Sequence, residues 1–288
     1  MPPPPAFRLV QVSDTHLSSK RAYFADNFDV FVEAMNAEPP DLIVASGDLS
    51  FDGPDHEDDL AFARAEHDRL AVPWKAIAGN HDIGEASGAS KLDQFINDER
   101  IARWRRLVGP NWWSHDTEFW RVIGLDTALM GSGHAEEDKQ AAFLEDALRG
   151  RQGRPVLLFM HIPPFLEDPD DPRPNTSCLL PAPRRWLLDR CAEGGVAAIA
   201  CGHLHVYQRQ RWQGIEIVWA PSTGIVNNEK QHALGRNLPR AGYLEWRLEP
   251  GRASHRLVEP PLFISYDVGA WNKEIGSTTK MPPRPLRR

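Results

Sequence analysis

The sequence has few cysteines: Cys178, Cys191 and Cys201 are the only three in a chain of 288 residues. An odd number without CxxC spacing provides neither a disulfide framework nor a zinc ribbon, and it fits reduced thiols in a cytoplasm. The sequence also lacks an apolar run of the roughly 20 residues that span a bilayer. Residues 1–7 form a proline run without the basic and apolar regions of a secretion signal. We therefore expect a soluble, cytoplasmic protein with no membrane partner.

An excess of positive charge is lacking as well. The chain has 33 Lys and Arg residues against 40 Asp and Glu residues, which gives a formal net charge of -7. Such a chain repels a nucleic-acid backbone unless a local basic patch overrides the net field, so a general DNA or RNA partner is not expected. The hydrophobic content of 41% allows one substantial core, near the upper size limit for a single domain.

Short apolar runs alternate with segments of helical spacing. The runs that predict buried strands are Phe7–Val12, Leu42–Ala45, Trp74–Ala78, Val122–Leu125, Val156–Met160 and Val196–Ala200. The helical segments are Asp26–Ala37, His56–Leu70, Glu136–Leu148 and Arg184–Ala192. Antiparallel strands are predicted later, at Tyr207–Trp212, Ile215–Ala220, Tyr243–Leu248 and His255–Val258. The pattern predicts an α/β fold, a four-layer αββα sandwich of two mixed β-sheets flanked by helices.

Two segments stand apart from this alternation and suggest a domain at 1–258. The first, 83–117, is a Trp-rich insertion or cap loop with Trp104, Trp112 and Trp113, which either pack beneath the loop or stack on a flat ligand. Packing is the favoured alternative. The second is a proline-punctuated, basic C-terminal extension at 259–288, which retains aromatic residues and so does not resemble simple disorder.

Residue types that bind metals follow five of the apolar runs directly. They are Asp14-Thr15-His16, Gly47-Asp48, Gly79-Asn80-His81-Asp82, His161 and Gly202-His203-Leu204-His205. Loops beyond the carboxyl ends of strands converge on one crevice in open α/β sheets, so these distant residues can meet. Mixed carboxylate, imidazole and amide ligands favour Mn, Fe, Zn or Co. A bridging carboxylate such as Asp48 would let two cations sit roughly 3.5–4 Å apart.

The motifs DxH, GD, GNHD, H and GHxH, in this order, resemble those of the calcineurin-like metallophosphoesterase superfamily. The resemblance implies two divalent or trivalent transition metal ions. The implied ligands are Asp14, His16, Asp48 and His205 for the first ion, and Asp48, Asn80, His161 and His203 for the second. His203 and His205 are expected on one side of an extended segment, where adjacent imidazoles can serve the two ions.

The same resemblance implies a mechanism, in which a hydroxide bridging the ions attacks phosphorus and His81 stabilises or protonates the leaving oxygen. Asp82 is expected either to orient His81 or to cap a turn. His134, on a glycine-rich loop, is a candidate substrate contact, with an ordinary surface loop as the alternative. The sequence leaves open whether the chain forms a homo-oligomer.

The substrate class depends on which branch of the superfamily the chain resembles most. Val12–Leu17 and Asp41–Ser50 resemble bacterial class III cyclic-nucleotide phosphodiesterases, while the stretch from His161 to His205 also resembles a phosphatase branch that includes phosphoprotein phosphatases. The leading implication is a phosphodiesterase for a small molecule, with a (cyclic) nucleotide as one candidate. The alternatives are a phosphomonoesterase or phosphoprotein phosphatase, a nuclease, and an inactive, metal-free binding module.

Overall fold

The computed structural model describes residues 6–86, 93–233, 239–275 and 283–284, and β-strands form its centre. In chain order the strands are β1 (Phe7–Val12), β2 (Leu42–Ser46), β3 (Trp74–Ile77), β4 (Trp113–Asp116), β5 (Arg121–Gly124), β6 (Val156–Phe159), β7 (Val196–Cys201), β8 (Gln208–Trp212), β9 (Ile215–Trp219), β10 (Ile225–Val226), β11 (Tyr243–Glu249), β12 (Arg252–Val258) and β13 (Tyr266–Asp267). Every predicted strand is present, with ends shifted by a few residues at most.

The predicted helices are present too, together with shorter ones that the periodicity did not predict. The helices are α1 (Ala25–Ala37), α2 (Glu57–His67), α3 (Asn80–Ile83), α4 (Asp98–Leu107), α5 (Ala135–Arg149), α6 (Pro181–Glu193), α7 (Asn228–Ala233) and α8 (Val268–Ile275). α6 begins one turn earlier than predicted because Pro181 occupies its first position, where a missing N–H has no cost. No helix in the described residues is long and apolar enough to cross a membrane.

Eleven of the described strands form two mixed sheets, and β10 and β13 form a short parallel pair of their own. The first has the order β12-β11-β1-β2-β3, with β1, β2 and β3 parallel and β11 antiparallel to both of its neighbours. The second has the order β4-β5-β6-β7-β9-β8, with parallel central strands and antiparallel edge strands. The predicted antiparallel pairs are confirmed, and one such pair lies in each sheet.

Each sheet packs on the other sheet with one face and on helices with the other. Alternate residues of a strand point to opposite faces. On β1, Leu9 therefore packs between the sheets, whereas Val10 packs with Phe28 of α1. Leu144 of α5 and Leu187 of α6 cover the outer face of the second sheet. The order of helices, sheet, sheet and helices confirms the predicted four-layer sandwich.

The segment 83–117 contains α4 and the edge strand β4. The side chain of Asn97 caps α4 by accepting a hydrogen bond from the backbone N–H of Arg100 (2.9 Å). Trp104 is fully buried on the helix side of the first sheet. Trp113 lies between the sheets and donates from Nε1 to the carbonyl oxygen of Ala76 (2.6 Å). These two tryptophans are core side chains.

Candidate metal centre

The predicted ligands lie in loops that follow the carboxyl ends of β1, β2, β3, β6 and β7, where the two sheets meet. Backbone hydrogen bonds join the first two loops: the N–H of Asp14 donates to the carbonyl of Gly47, and that of His16 donates to the carbonyl of Asp48 (both 3.0 Å). Because β1 and β2 run parallel, their loops leave the sheet side by side and bring these residues together.

The structure brings the ligand atoms of the predicted residues into two groups that share one carboxylate. Within each group the atoms lie within 4.8 Å of one another; the groups are Asp14, His16, Asp48 and His205, and Asp48, His161 and His203. Asn80 joins the second group, since its Oδ1 lies 3.3 Å from Nε2 of His161. A shared carboxylate between two sets of imidazoles is the arrangement that a pair of metal ions requires.

Asp48 lies at the centre of this arrangement. Its Oδ2 is 3.2 Å from Nε2 of His161 and 3.9 Å from Nε2 of His16, so one oxygen faces both groups. Its Oδ1 accepts a hydrogen bond from the backbone N–H of His81 (2.8 Å). In the first group, Oδ1 of Asp14 is 3.1 Å from Nε2 of His205.

Backbone carbonyls fix which nitrogen of two imidazoles is available to a metal. Nδ1 of His161 lies 2.9 Å from the carbonyl oxygen of Ser46, and Nε2 of His203 lies 3.1 Å from that of Thr176. A carbonyl oxygen only accepts, so each of these nitrogens must carry the proton. In the neutral rings the lone pair is then on Nε2 of His161 and on Nδ1 of His203, which suits ligation.

The backbone at the centre is strained. Among the described residues with left-handed φ that are not glycine are Asp14 (54°), His16 (47°), Asp48 (52°), His203 (69°) and His205 (55°). This conformation is rare for such residues and persists only where the surroundings enforce it, commonly at functional sites. The expectation of an extended segment at His203 and His205 is therefore wrong, because the chain bends at each histidine instead.

The two carboxylates at the centre favour the ionised form, so they can bind cations. Burial alone would raise the pKa of Asp14, but the imidazoles of His205 and His161 lower it to about 2. Burial also opposes ionisation of Asp48, yet His161 and His81 hold its pKa well below the usual range. Burial lowers the pKa of His161, but Asp48 and Asp14 raise it to about 10. The two carboxylates therefore favour a positive charge on the imidazoles around them, and a bound cation would supply that charge in place of a proton.

The donor set fits two transition metal ions. Within the described part of the chain, the ion-pair partners of Asp14 and Asp48 are imidazoles, with no Lys or Arg among them. Buried carboxylates need paired cations or metals, and imidazole with carboxylate suits first-row transition metals. These residue groups, which share Asp48, point to a dinuclear divalent metal centre.

His81 lies beside this centre, and its ring has a different partner from the one predicted. Nδ1 of His81 is 2.9 Å from the carbonyl oxygen of Phe51. Asp82 accepts hydrogen bonds from the backbone N–H groups of Ser50 (2.8 Å) and Gly79 (2.9 Å). The structure therefore corrects the orienting role of Asp82: Asp82 caps the turn and joins the Asp48 and Asn80 loops.

His134, the candidate substrate contact, has structural partners on both ring nitrogens. Its Nδ1 accepts from the backbone N–H of Glu136 at the start of α5 (3.2 Å), and its Nε2 is 3.2 Å from Oδ1 of Asp98 on α4. These contacts explain the residue as a helix cap that also connects two helices. A contact with substrate stays a prediction.

Sequence reasoning missed several residues that hold the centre. The carbonyls of Ser46, Phe51 and Thr176 orient histidines, and backbone groups leave no signal in a sequence. Asp126 lies outside the two ligand groups but is a buried carboxyl that did leave a signal, because it directly follows the apolar run Val122–Leu125. It is fully buried, and burial raises its pKa to about 7 even though Asn111 donates a hydrogen bond to it (2.7 Å).

Comparison with known proteins identifies relatives of two kinds. The chain is 28% identical over 286 residues to "Probable glycerophosphodiester phosphodiesterase GpdQ" of Arcobacter nitrofigilis, covering 94% of this chain and 91% of that protein. It is 25% identical to the 3',5'-cyclic adenosine monophosphate phosphodiesterase CpdA of Escherichia coli K12, covering 76% of each. It is 27% identical to the serine/threonine-protein phosphatase CPPED1 of Pongo abelii, covering 70% of this chain and 66% of that protein.

A sequence profile described as calcineurin-like phosphoesterase matches residues 7–207, more than half of the chain. The matched segment runs from β1 to just beyond β7 and contains every predicted ligand from Asp14 to His205. The match confirms the family resemblance that the motifs predicted, and it supports hydrolysis of phosphoesters. The similarity to the phosphodiesterases GpdQ and CpdA confirms the resemblance to class III phosphodiesterases. The chain belongs to the calcineurin-like phosphoesterase family.

Proposed function

We propose that the chain is a dinuclear metal-dependent phosphodiesterase that acts on a small molecule, with a cyclic nucleotide as one candidate. The observation that carries the proposal is the pair of buried ligand groups that share Asp48. Two cations a few ångström apart can clamp a phosphoryl group between its attacking and leaving oxygens. A single ligand group could not provide this clamp.

The proposed ligands of the first ion are Asp14, His16, Asp48 and His205, and those of the second are Asp48, Asn80, His161 and His203. When bound, such ions supply Lewis-acid charge to the phosphoryl oxygens and activate water. The chain itself holds its ligands in fixed positions, because the strained bends and carbonyl contacts leave the side chains little freedom. Mn, Fe, Zn and Co all suit the set.

His81 is the proposed proton donor to the leaving oxygen. Its ring is fixed through Nδ1 to the carbonyl of Phe51, and its backbone N–H is fixed to the shared carboxylate of Asp48. The ring of His16 lies 4.8 Å away, centroid to centroid, which places His81 at the edge of the first ligand group. Nε2 is then the nitrogen that donates to the departing oxygen.

Similarity supports a diester substrate more than a monoester. The relative described as a probable glycerophosphodiester phosphodiesterase covers 94% of the chain, whereas the phosphatase CPPED1 covers 70%. The phosphatase is nevertheless almost as similar in identity, at 27% against 28%. A phosphomonoesterase or phosphoprotein phosphatase is therefore the second candidate function.

One sample tests the class and the subtype together. The purified protein is analysed for bound transition metals and assayed with added Mn on bis(p-nitrophenyl) phosphate and p-nitrophenyl phosphate. About two metals per chain and faster cleavage of the diester are expected. Faster cleavage of the monoester would favour the phosphatase alternative, and a metal-free protein without turnover would overturn the proposal in favour of a binding module.

A further inference from the structure

The C-terminal extension lies beyond the family match at 7–207, yet part of it packs beside the residues that hold His81. We propose that residues 263–275 are a positioning element for His81 and act on it through Phe51. This inference rests on the proposed role of His81 in protonating the leaving oxygen.

His81 is held by a short segment of chain that follows the Asp48 loop. Its ring donates to the carbonyl of Phe51 (2.9 Å), and its own carbonyl accepts from Oγ of Ser50 (3.0 Å) and from the backbone N–H of Gly53 (2.8 Å). The position of His81 therefore depends on where the segment 50–53 lies.

The side chain of Phe51 connects this segment to the extension. Its ring stacks on that of Phe24, with centroids 6.3 Å apart and planes at 25°. Trp271 of α8 stacks on Phe24 as well, at 5.9 Å and 17°, and Tyr266 meets Phe24 edge-on at 5.7 Å. Phe24 and Phe51 are buried, so the extension completes an aromatic cluster around them.

The extension is itself anchored to the core. The buried side chain of Asn27 donates to the carbonyl of Ile264 (2.9 Å) and accepts from its N–H (2.8 Å), and it also donates to the carbonyl of Thr223 (2.8 Å). β13 pairs with β10 directly after this anchor. Because Trp271 is supported from the core, it can restrain Phe51 rather than simply follow its motion.

The aromatic cluster acts on His81 by restricting the position of Phe51. Aromatic side chains bury large areas and prefer defined geometries, so a stack of three rings resists displacement. A misplacement of about 1 Å at a reacting group can cost on the order of 10²-fold in rate. Loosening Phe51 should therefore lower turnover without removing any ligand of the metal centre.

The test compares Trp271→Ala with Trp271→Phe and with Trp212→Ala. Trp212 is a matched control, because it is also partly buried but packs on the second sheet in a different cluster. We expect Trp271→Ala to keep its metals and its KM and to lose on the order of tenfold in kcat. The loss should be larger for alkyl than for p-nitrophenyl diesters, because a poor leaving group depends more on protonation. Trp271→Phe should recover most of the rate, and Trp212→Ala should resemble wild type.

A double-mutant cycle with His81→Ala separates the inference from the proposed function. Adding Trp271→Ala to His81→Ala should cause no further loss, and the N–H proton resonance of His81, assigned by its absence in His81→Ala, should broaden in Trp271→Ala. Wild-type kcat in a folded Trp271→Ala protein, or equal losses for both leaving groups, would overturn the inference while leaving the proposed function intact. Wild-type activity in His81→Ala would instead refute the role of His81.

Discussion

The two ends of the parallel strands differ in how deeply their charged groups are buried. At the metal edge, which comprises the loops after β1, β2, β3, β6 and β7, Asp48 and His161 are almost completely buried. At the opposite edge, formed by residues 116–121, 145–154 and 190–195, the charged pairs each have at least one exposed side chain. Arg149 and Asp146, for example, have side chains that are 71% and 72% exposed.

The contrast between the two edges shows where burial of charge and backbone strain reduce the stability of the fold. Burying a polar or charged group is unfavourable unless a partner compensates, and left-handed bends add strain. At the metal edge, residues such as Asp48 are both buried and strained, so both effects lower the stability of the fold there. The ion pairs at the opposite edge change the stability little in either direction. Buried charges and strained bends are expected to occur together at a metal site, because cations that bind only the folded state stabilise it.

Removal of the carboxylate that the two ligand groups share should have the largest effect on metal binding and activity. In Asp48→Ala, two groups of imidazoles lose the oxygen that joins them, so both metals should be lost and diester hydrolysis should fall to background. Asp116→Ala removes a carboxylate from an ion pair with Arg121 at the opposite edge and should retain both metals. Elemental analysis and initial rates decide the outcome, and bound metal with normal turnover in Asp48→Ala would refute the proposed ligand set.

Glycine-to-alanine substitutions should give the next largest difference in metal content and activity between the two edges. Gly47 (φ 98°) lies against His161, and an added Cβ would be 2.3 Å from Nδ1 of that buried ring. Gly153 (φ 80°) has a similar backbone but open space around it at the opposite edge. Gly47→Ala should therefore lose metal and activity.

The matched control is Gly153→Ala, which should lose only the stability that left-handed strain costs, about 1–2 kcal/mol. Thermal melting and metal content measured on both variants separate the two effects. Equal metal content in the two proteins would show that the position of His161 is less restricted than the structure indicates.

The same contrast explains what the sequence could predict. Buried strands carry near-continuous apolar runs, so β1, β2, β6 and β7 were predictable within a residue or two, and the ligands were visible as polar residues directly after them. α4 was missed because its sequence is dominated by charge, although Asn97 before Asp98 and Glu99 was a capping signal. The shape of the ligand loops was not predictable, since left-handed φ at an Asp or His is imposed by tertiary contacts.

Roles that depend on partners were predicted less well than roles that depend on residue type. Asp82 and His134 have plausible chemistry, but the structure gives Asp82 a cap and His134 two structural neighbours. Conversely, the ring partner of His81 is the backbone carbonyl of Phe51, and the ring of Phe51 is connected through Phe24 to Trp271, which is distant in sequence. Such connections exist only in three dimensions.

A smaller effect is expected from Asp126, which shares the buried polar character of the metal edge. Burial raises its pKa from 3.8 to about 7, so the folded state favours the protonated form. Its contribution to stability is complete below its ordinary pKa and is lost as the pH rises through about 7. In Asp126→Asn this loss should disappear, so the melting temperature of the variant relative to wild type should rise between pH 5 and pH 8.

The control for this pH series is Asp189→Asn, which changes an exposed carboxyl on α6. Its melting curve should run parallel to that of wild type. If the difference between Asp126→Asn and wild type is constant with pH, burial of Asp126 does not have the assigned effect.

The smallest effect should come from the opposite edge itself. Arg149, in the last turn of α5, pairs with Asp146 one turn earlier, and its Nη1 lies 3.9 Å from Glu145. Exposed pairs of this kind lose in side-chain entropy and salt screening most of what they gain by attraction. Arg149→Ala should therefore shift the melting temperature by only about one degree, with the metal content and kcat unchanged. A shift as large as that of Gly153→Ala would contradict the contrast between the two edges, because the exposed pair would then contribute as much stability as left-handed strain at residue 153 costs.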